Sequence, residues 1–492
     1  MKYSLIAAET EKTKYDTLYT IVFEEDIKDK KQSYQPLALL DKKSGGLVAA
    51  LIEKERITGK EGSVVSFYIE GKRYAFAGAG KEKKFNSRKM LTVAGKICKN
   101  AVAEKDKTIA IQMRTEEPVF YSRLIEAIET ASYTFLEHFS EKKQKDKKIK
   151  LKDCIIIGVD NKETKKAVEL GKIIGESRNF ARTLVNQPSN YLTPSVLAKT
   201  IEETLKDQKV EILEKENIKK LKMGGLLGVN KGSKEDPRFI IIRHNPEKKK
   251  SGIKLALVGK AITFDTGGIS LKPSLNMHEM KGDMAGGASV AALMKIAAEL
   301  KIPLEIVGLI PSTTNMPDGN STNPGDIFVA LNGKTVEVQN TDAEGRLILM
   351  DALSYAVEHE KVTHIVDLAT LTGAILVALG TITTGLFAND DKLANAILKA
   401  TEKSGEYFWR MPMFDEYAKQ LESKIADLRN IGGRNAGSIT AAKFLEEFVS
   451  DTPWVHLDIA GTSYKDDHEY LSPSGTGETI STLTEWLLDF SK

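Results

Sequence analysis

Apolar residues along this chain fall into two alternating patterns. Short continuous or alternating runs suit strands, and longer stretches carry the 3–4-residue spacing of helices. In the first third, Val64-Val65-Ser66-Phe67-Tyr68-Ile69 predicts a strand followed by a turn at Glu70-Gly71-Lys72, and residues 108–113 predict another. Helical spacing covers 121–139, and residues 154–159 read as the last strand of a first domain. A long helical pattern over 164–184 carries the domain junction and ends in an Asn-, Pro- and Ser-rich loop, 186–194. Beyond it, strands predicted at 255–259, 304–310, 364–369 and 455–460 alternate with helices at 290–300, 347–359 and 480–490. Such alternation predicts an α/β protein whose mixed central sheet is covered by helices. Ligands of such sheets collect beyond the carboxyl ends of the strands.

Composition narrows the classes. Hydrophobic residues are 41% and charged residues 28% of 492, enough apolar content for a large core. The 71 basic and 68 acidic residues leave +3, which argues against a general nucleic-acid binder. The tract 141–153, rich in lysine, reads as a solvated loop. No apolar run reaches the length of a membrane span, and the first nine residues are too short and too soon acidic for a secretory signal. Two cysteines, Cys98 and Cys154, exclude a disulfide framework and suit a reducing cytoplasm.

Several familiar motifs fail. Gly78-Ala79-Gly80 lacks the third glycine of a dinucleotide loop, and the 473–479 segment lacks a phosphate-binding lysine. No pair of the seven histidines has the spacing of a zinc peptidase helix, and His278 is expected to be structural rather than a ligand. Any metal must therefore be held mainly by oxygen.

Charge concentrates where three predicted core elements end. Lys260, Asp265 and Lys272 flank the Gly267-Gly268 turn. Asp283 is placed to cap the helix that follows it. Asp342, Glu344 and Arg346 lie in a turn before an apolar helix; in an extended turn, Asp342 and Glu344 point the same way. Four carboxylates cannot cluster without compensating charge, and two divalent ions would balance them. Lys272 and Arg346 would remain to attract an anionic intermediate or a bound anion.

These residues resemble the leucyl aminopeptidase family, the M17 metallopeptidases. The signature is Asn340-Thr341-Asp342-Ala343-Glu344-Gly345-Arg346-Leu347, joined by Phe264-Asp265-Thr266-Gly267-Gly268, Asn315-Met316-Pro317, Asp367-Leu368-Ala369-Thr370-Leu371-Thr372-Gly373-Ala374 and His456-Leu457-Asp458-Ile459-Ala460-Gly461-Thr462. The resemblance implies a macro-like N-terminal α/β domain over 1–162 with a role in assembly or access, a linker helix over 163–185 and a catalytic domain over 186–492. It implies one metal on Lys260, Asp265, Asp283 and Glu344, and a second on Asp265, Asp342 (carboxylate and main-chain carbonyl) and Glu344. Lys260 would then need a strongly lowered pKa. Lys272 would polarise the scissile carbonyl, and Arg346 would hold a bicarbonate that accepts a proton. Met280, Thr370, Gly373 and Ala460 would line the pocket for the first side chain, with Leu371 and Gly373 offering backbone groups to the substrate. The activity implied is removal of N-terminal residues, Leu favoured, from peptides by a cytoplasmic homohexamer. The ions would be Mn2+ or Zn2+, with Mg2+ or Co2+ also admitted. Thr314 and Ser463 depart from many relatives, which touches supporting detail and residue preference rather than the ligands. A DNA-binding accessory protein, a dinuclear phosphoesterase and a non-catalytic relative are the rival readings.

Overall fold

The computed structural model describes residues 1–10, 12–29, 34–247, 249–250 and 252–492. The chain forms two compact units, and the division falls between Asn179 and Phe180, inside the helix Lys162–Asn186. Glu402–Gly405 and Asp467–Ser472 belong to the first unit.

The first unit is built on six strands: β1 (Lys2–Ile6), β2 (Thr17–Val22), β3 (Val64–Ile69), β4 (Lys72–Gly78), β5 (Thr108–Gln112) and β6 (Asp153–Ile157). Their order is β1-β6-β5-β2-β4-β3. All pair in parallel except β3, which runs antiparallel to β4. Glu70 and Gly71 both take positive φ, 50° and 77°, which closes the β3–β4 hairpin in two residues.

Two sequence expectations need correction here. The helix predicted over 121–139 is Pro118–Ala131. Pro118 starts it earlier, in a position that needs no N–H, and Ser132 Oγ donates to the Glu129 carbonyl where it stops. The lysine-rich tract is not all loop. Glu141–Lys147 is a short helix with no buried residue. Its apolar period is absent, yet Glu, Lys and Gln are good helix formers, and the acid-first, base-last order suits the helix dipole.

The second unit contains β7 (Lys209–Leu213), β8 (Arg238–His244), β9 (Lys254–Gly259), β10 (Ala261–Asp265), β11 (Glu305–Asn315), β12 (Ile327–Val329), β13 (Thr335–Glu337), β14 (His364–Ala369), β15 (Thr384–Ala388), β16 (Phe408–Arg410), β17 (Leu428–Arg429) and β18 (Trp454–Asp458). Nine of them form a mixed sheet ordered β16-β15-β18-β14-β9-β11-β8-β7, with β10 also paired to β11. The centre, β18-β14-β9-β11, is parallel. Ala256, Val258, Val307 and Leu309 pack with Leu347, Leu349 and Leu353 of the helix Glu344–Glu358. The alternate residues Leu255, Leu257 and Ile306 are also buried. A Cβ on Gly308 would meet the side chains of Met294 and Val290, so the helix Ala285–Glu299 covers that opposite face. Burial on both faces explains the unbroken apolar runs.

The long β11 pairs in parallel with β9 and then with β10, so these two strands lie end to end along it. Lys260 falls at the break. Asp265 ends β10, Thr370 follows β14, and Asp458 ends β18. The carboxyl ends of the parallel strands thus gather the residues singled out above.

One buried acid sits away from them. Asp351, 1% exposed, accepts the Leu226 amide on Oδ2 and the Leu331 amide on Oδ1, both at 2.9 Å. Burial outweighs these bonds and pushes its pKa from 3.8 up to about 7. The stability gained from keeping this proton is complete below the unfolded value and is lost as pH rises through about 7. Urea unfolding between about pH 4 and 8 should therefore show wild type losing ground to Asp351→Asn as pH rises towards about 7, and levelling off above it. A stability difference that stays constant over that range would refute this.

Candidate metal centre

Each site residue owes its position to a local feature. The Gly267-Gly268 turn takes positive φ at both residues, 87° and 65°, which turns the chain sharply after Asp265. The Gly267 amide donates to Asp265 Oδ1 at 2.9 Å, and Asn315 Nδ2 donates to the same oxygen at 2.9 Å. Asp342 lies in a turn in which Asn340 Oδ1 accepts the Asp342 amide at 2.8 Å, and Glu344 is the first residue of its helix. Gly345 is required by close approach, since a Cβ there would lie 2.6 Å from Lys260 Nζ.

Carboxylate oxygens of Asp265, Asp342 and Glu344 lie within 4.8 Å of one another. Asp283 joins them through Lys260, whose Nζ is 2.8 Å from Asp283 Oδ1, 2.8 Å from Glu344 Oε1 and 2.9 Å from the Thr370 carbonyl. Lys272 Nζ is 2.8 Å from Asp265 Oδ2 and also pairs with Asp342 Oδ1. Thr370 Oγ1 donates to Asp283 Oδ1 at 2.6 Å. Lys260, Asp265 and Glu344 are at most 3% exposed.

Asp283 does not cap the helix after it. Met284 holds the cap position without a side-chain bond, and Asp283 is drawn to Lys260 and Thr370 instead. Nor is Lys260 lowered by the protein's own charges. Burial pulls its pKa down, but Asp283, Glu344 and Asp265 outweigh burial and hold it above its ordinary value. A neutral Lys260 amine therefore requires incoming cations to displace its proton. Lys272 behaves alike: burial opposes its charge, and Asp265, Glu344 and Asp342 restore and exceed it. Burial raises Asp265, Asp283 and Asp342.

The donor set fits divalent cations. Four carboxylates face two ammonium groups. Asp283 Oδ2 and Glu344 Oε2 are buried with no hydrogen-bond partner among the described residues. Such oxygens are costly unless a cation meets them. Arg346 is 6% exposed; its Nη1 donates to the Asn430 carbonyl at 2.9 Å, while its Nε has no partner. Burial lowers its pKa to about 10 against the pull of Glu344 and Asp458. A buried cation with a spare donor is a seat for an anion.

The chain matches the model of the cytosol aminopeptidase family, catalytic domain, over residues 179–484, and that of the family's N-terminal domain over 21–142. This chain belongs to the cytosol aminopeptidase family. It is a metallo-aminopeptidase, and the family's N-terminal peptide hydrolysis depends on a dinuclear metal centre. A probable cytosol aminopeptidase of Methylobacillus flagellatus is 41% identical over 503 residues, covering 99% of each chain. One from Chloroherpeton thalassium is 48% identical over 372 residues, 74% of this chain and 73% of that one. Among solved structures, a mutant of tomato leucine aminopeptidase aligns with TM-score 0.91 at 34% identity over 99% of this chain and 96% of that one. The bottromycin maturation enzyme BotP in complex with Mn aligns with TM-score 0.85 at 30% identity over 97% and 100%. The α/β reading and the family resemblance both hold. No helix among the described residues is long and apolar enough to cross a membrane.

The pocket residues are less uniformly gathered. Thr370 touches the charged cluster directly. Leu371 and Ala460 are joined by a residue given no role from sequence. Asp458 Oδ1 accepts both of their amides at 3.2 Å, and its Oδ2 accepts Thr372 Oγ1 at 2.6 Å. Met280 is half-buried in the short turn Met277–Gly282, and its carbonyl accepts the Asp283 amide. Gly373 is exposed at the start of the helix Gly373–Leu379. His278 is exposed. Across the β14–β18 pair, His456 Nδ1 and Trp454 Nε1 both bond the buried Asp367, at 2.7 and 2.6 Å.

Proposed function

We propose that this enzyme removes N-terminal residues, Leu and other apolar ones preferred, using two divalent ions and a bicarbonate. The observation that carries the reading is the carboxylate triad within 4.8 Å, bordered by partnerless buried oxygens of Asp283 and Glu344. Lys260, Asp265, Asp283 and Glu344 hold one ion. Asp265, Glu344 and Asp342, by its carboxylate and main-chain carbonyl, hold the other. Mn2+ is the first choice because the similar BotP was solved with Mn; Zn2+, Mg2+ and Co2+ suit the same oxygen-rich set. When bound, the ions supply Lewis acidity and lower the pKa of water.

The protein's own groups do the rest. Asp283 attracts the free α-ammonium group of the peptide, which an internal segment lacks. Lys272 donates to the oxygen of the scissile carbonyl as negative charge develops on it. Arg346 would hold a bicarbonate through its buried guanidinium, and that anion would supply a base for the proton of the attacking water. Met280, Thr370, Gly373 and Ala460 surround the first side chain, and Leu371 and Gly373 orient the peptide through backbone groups. Neutral and apolar lining disfavours an N-terminal Asp.

The catalytic domain is assigned to 186–492, following the linker helix 163–185, with 1–162 serving assembly or access. Large exposed apolar side chains in the catalytic unit, Leu275, Val377, Trp409 and Phe414, support self-association, as a homohexamer in the cytoplasm.

Release of leucine from Leu-Gly tests this directly. Mn2+-loaded protein should release it, chelator-stripped protein should not, and N-acetyl-Leu-Gly should survive both. Equal cleavage of the acetylated peptide would sink the exopeptidase reading.

A further inference from the structure

The turn that carries Asp342 and Glu344 is shaped by a side chain that no motif singled out. β17 pairs in parallel with β13, Val336 opposite Leu428 and Glu337 opposite Arg429. The ladder makes one more backbone bond, from the Asn430 amide to the Glu337 carbonyl at 2.9 Å. Val338 still bonds the chain at 325–326, and the chain at 339–343 then turns away towards the helix. From there the Asn430 side chain replaces a strand. Its Oδ1 accepts the Gln339 amide at 2.9 Å and the Asn340 amide at 3.3 Å. Its Nδ2 donates to the Asn340 carbonyl at 2.7 Å and the Ala343 carbonyl at 3.4 Å. The Asn430 main-chain carbonyl accepts Arg346 Nη1. Asn430 is fully buried, so water cannot substitute for these bonds.

We propose that Asn430 is the positioning residue of the metal centre: its amide sets the turn bearing Asp342 and Glu344, and its carbonyl sets Arg346. This rests on the metal-binding reading given above. The geometry demands an amide at this distance. Both backbone donors and backbone acceptors of the turn must be met at once, and they bracket Asp342 on either side. An aspartate would keep the acceptor, lose both donors and bring a further charge to a site already rich in carboxylates. A glutamine would be one methylene too long. Without the clamp the turn loses its register, and the two carboxylates no longer meet Asp265 within one ion's reach.

The test is Mn2+ titration of the chelator-stripped full chain by calorimetry, with kcat and KM for Leu-Gly at saturating Mn2+. Asn230→Ala is the control, since Asn230 is also a buried asparagine of this unit, bonded to the Glu235 carbonyl and Thr313 Oγ1. Asn430→Ala should weaken Mn2+ binding by roughly 10–100-fold and lower kcat more than it changes KM, beyond any effect of the control. Wild-type Mn2+ affinity and kcat in Asn430→Ala, whatever its Tm, would overturn the proposal alone. Absence of Mn2+ binding by the wild-type chain would overturn it together with the metal-centre reading. Should Asn430→Ala fail to fold, Asn430→Ser takes its place in the same comparison, because its hydroxyl can meet one side of the turn but not both.

Discussion

A Lys272→Ala variant at saturating Mn2+ is expected to turn over Leu-Gly about 10²–10³-fold more slowly than wild type, with KM changed far less. Lys272 Nζ sits between Asp265 and Asp342, and in the proposed mechanism removing it takes a positive charge from the developing oxyanion. The fold should survive, because the Lys272 side chain is 22% exposed and the Asp265 carboxylate keeps its bonds from the Gly267 amide and Asn315 Nδ2. Lys272→Arg should not rescue the rate fully, since a planar guanidinium cannot occupy the point position of an ammonium. The measurement is steady-state kinetics beside thermal melting. A kcat within about threefold of wild type, with the metal fully loaded, would remove Lys272 from the chemistry.

The second large effect is on stability. Lys260→Met is expected to cost about 3–5 kcal/mol in the presence of chelator, because it strips the cation from Asp283 and Glu344 in a fully buried pair of contacts. Methionine fills a similar volume, so the loss reports charge rather than a cavity. Added Mn2+ should raise the melting temperature of this variant, since cations bound to the folded state return part of the missing positive charge. Urea denaturation with and without Mn2+ measures both effects. A variant as stable as wild type in chelator would mean that Lys260 does not neutralise these acids.

Much of this was legible in the chain. The helix Ile480–Phe490 and the strands Val64–Ile69 and His364–Ala369 follow their apolar patterns residue for residue, because burial on defined faces imposes those periods. Asp342, Glu344 and Arg346 were readable from their local spacing, although only Asp342 lies in the expected turn; Glu344 and Arg346 already belong to the helix Glu344–Glu358. The failures have a common cause. Asp283 looks like a helix cap from its neighbours in sequence, and only the arrival of Lys260 from another strand takes it elsewhere. The 141–147 helix has no apolar period and buries none of its residues.

Asn430 and Asp458 show where local reading stops. Asn430 acts on residues 84 to 91 positions away, and Asp458 on Leu371 and Thr372, 87 and 86 positions away. An asparagine that will satisfy a distant turn carries no mark that separates it from one on the surface. Sequence alone therefore gave the α/β class, which depends on periodicity, and the family, through the resemblance of its charged motifs. The pairing of each ammonium with its acids, the orphaned oxygens and the contacts of Asn430 with the turn before Glu344 were settled by folding. They depend on β9 pairing with both β11 and β14, and on β10 continuing beyond β9 along β11, which brings Lys260, Asp265 and Thr370 together; burial of the sheet between its two helices holds that pairing.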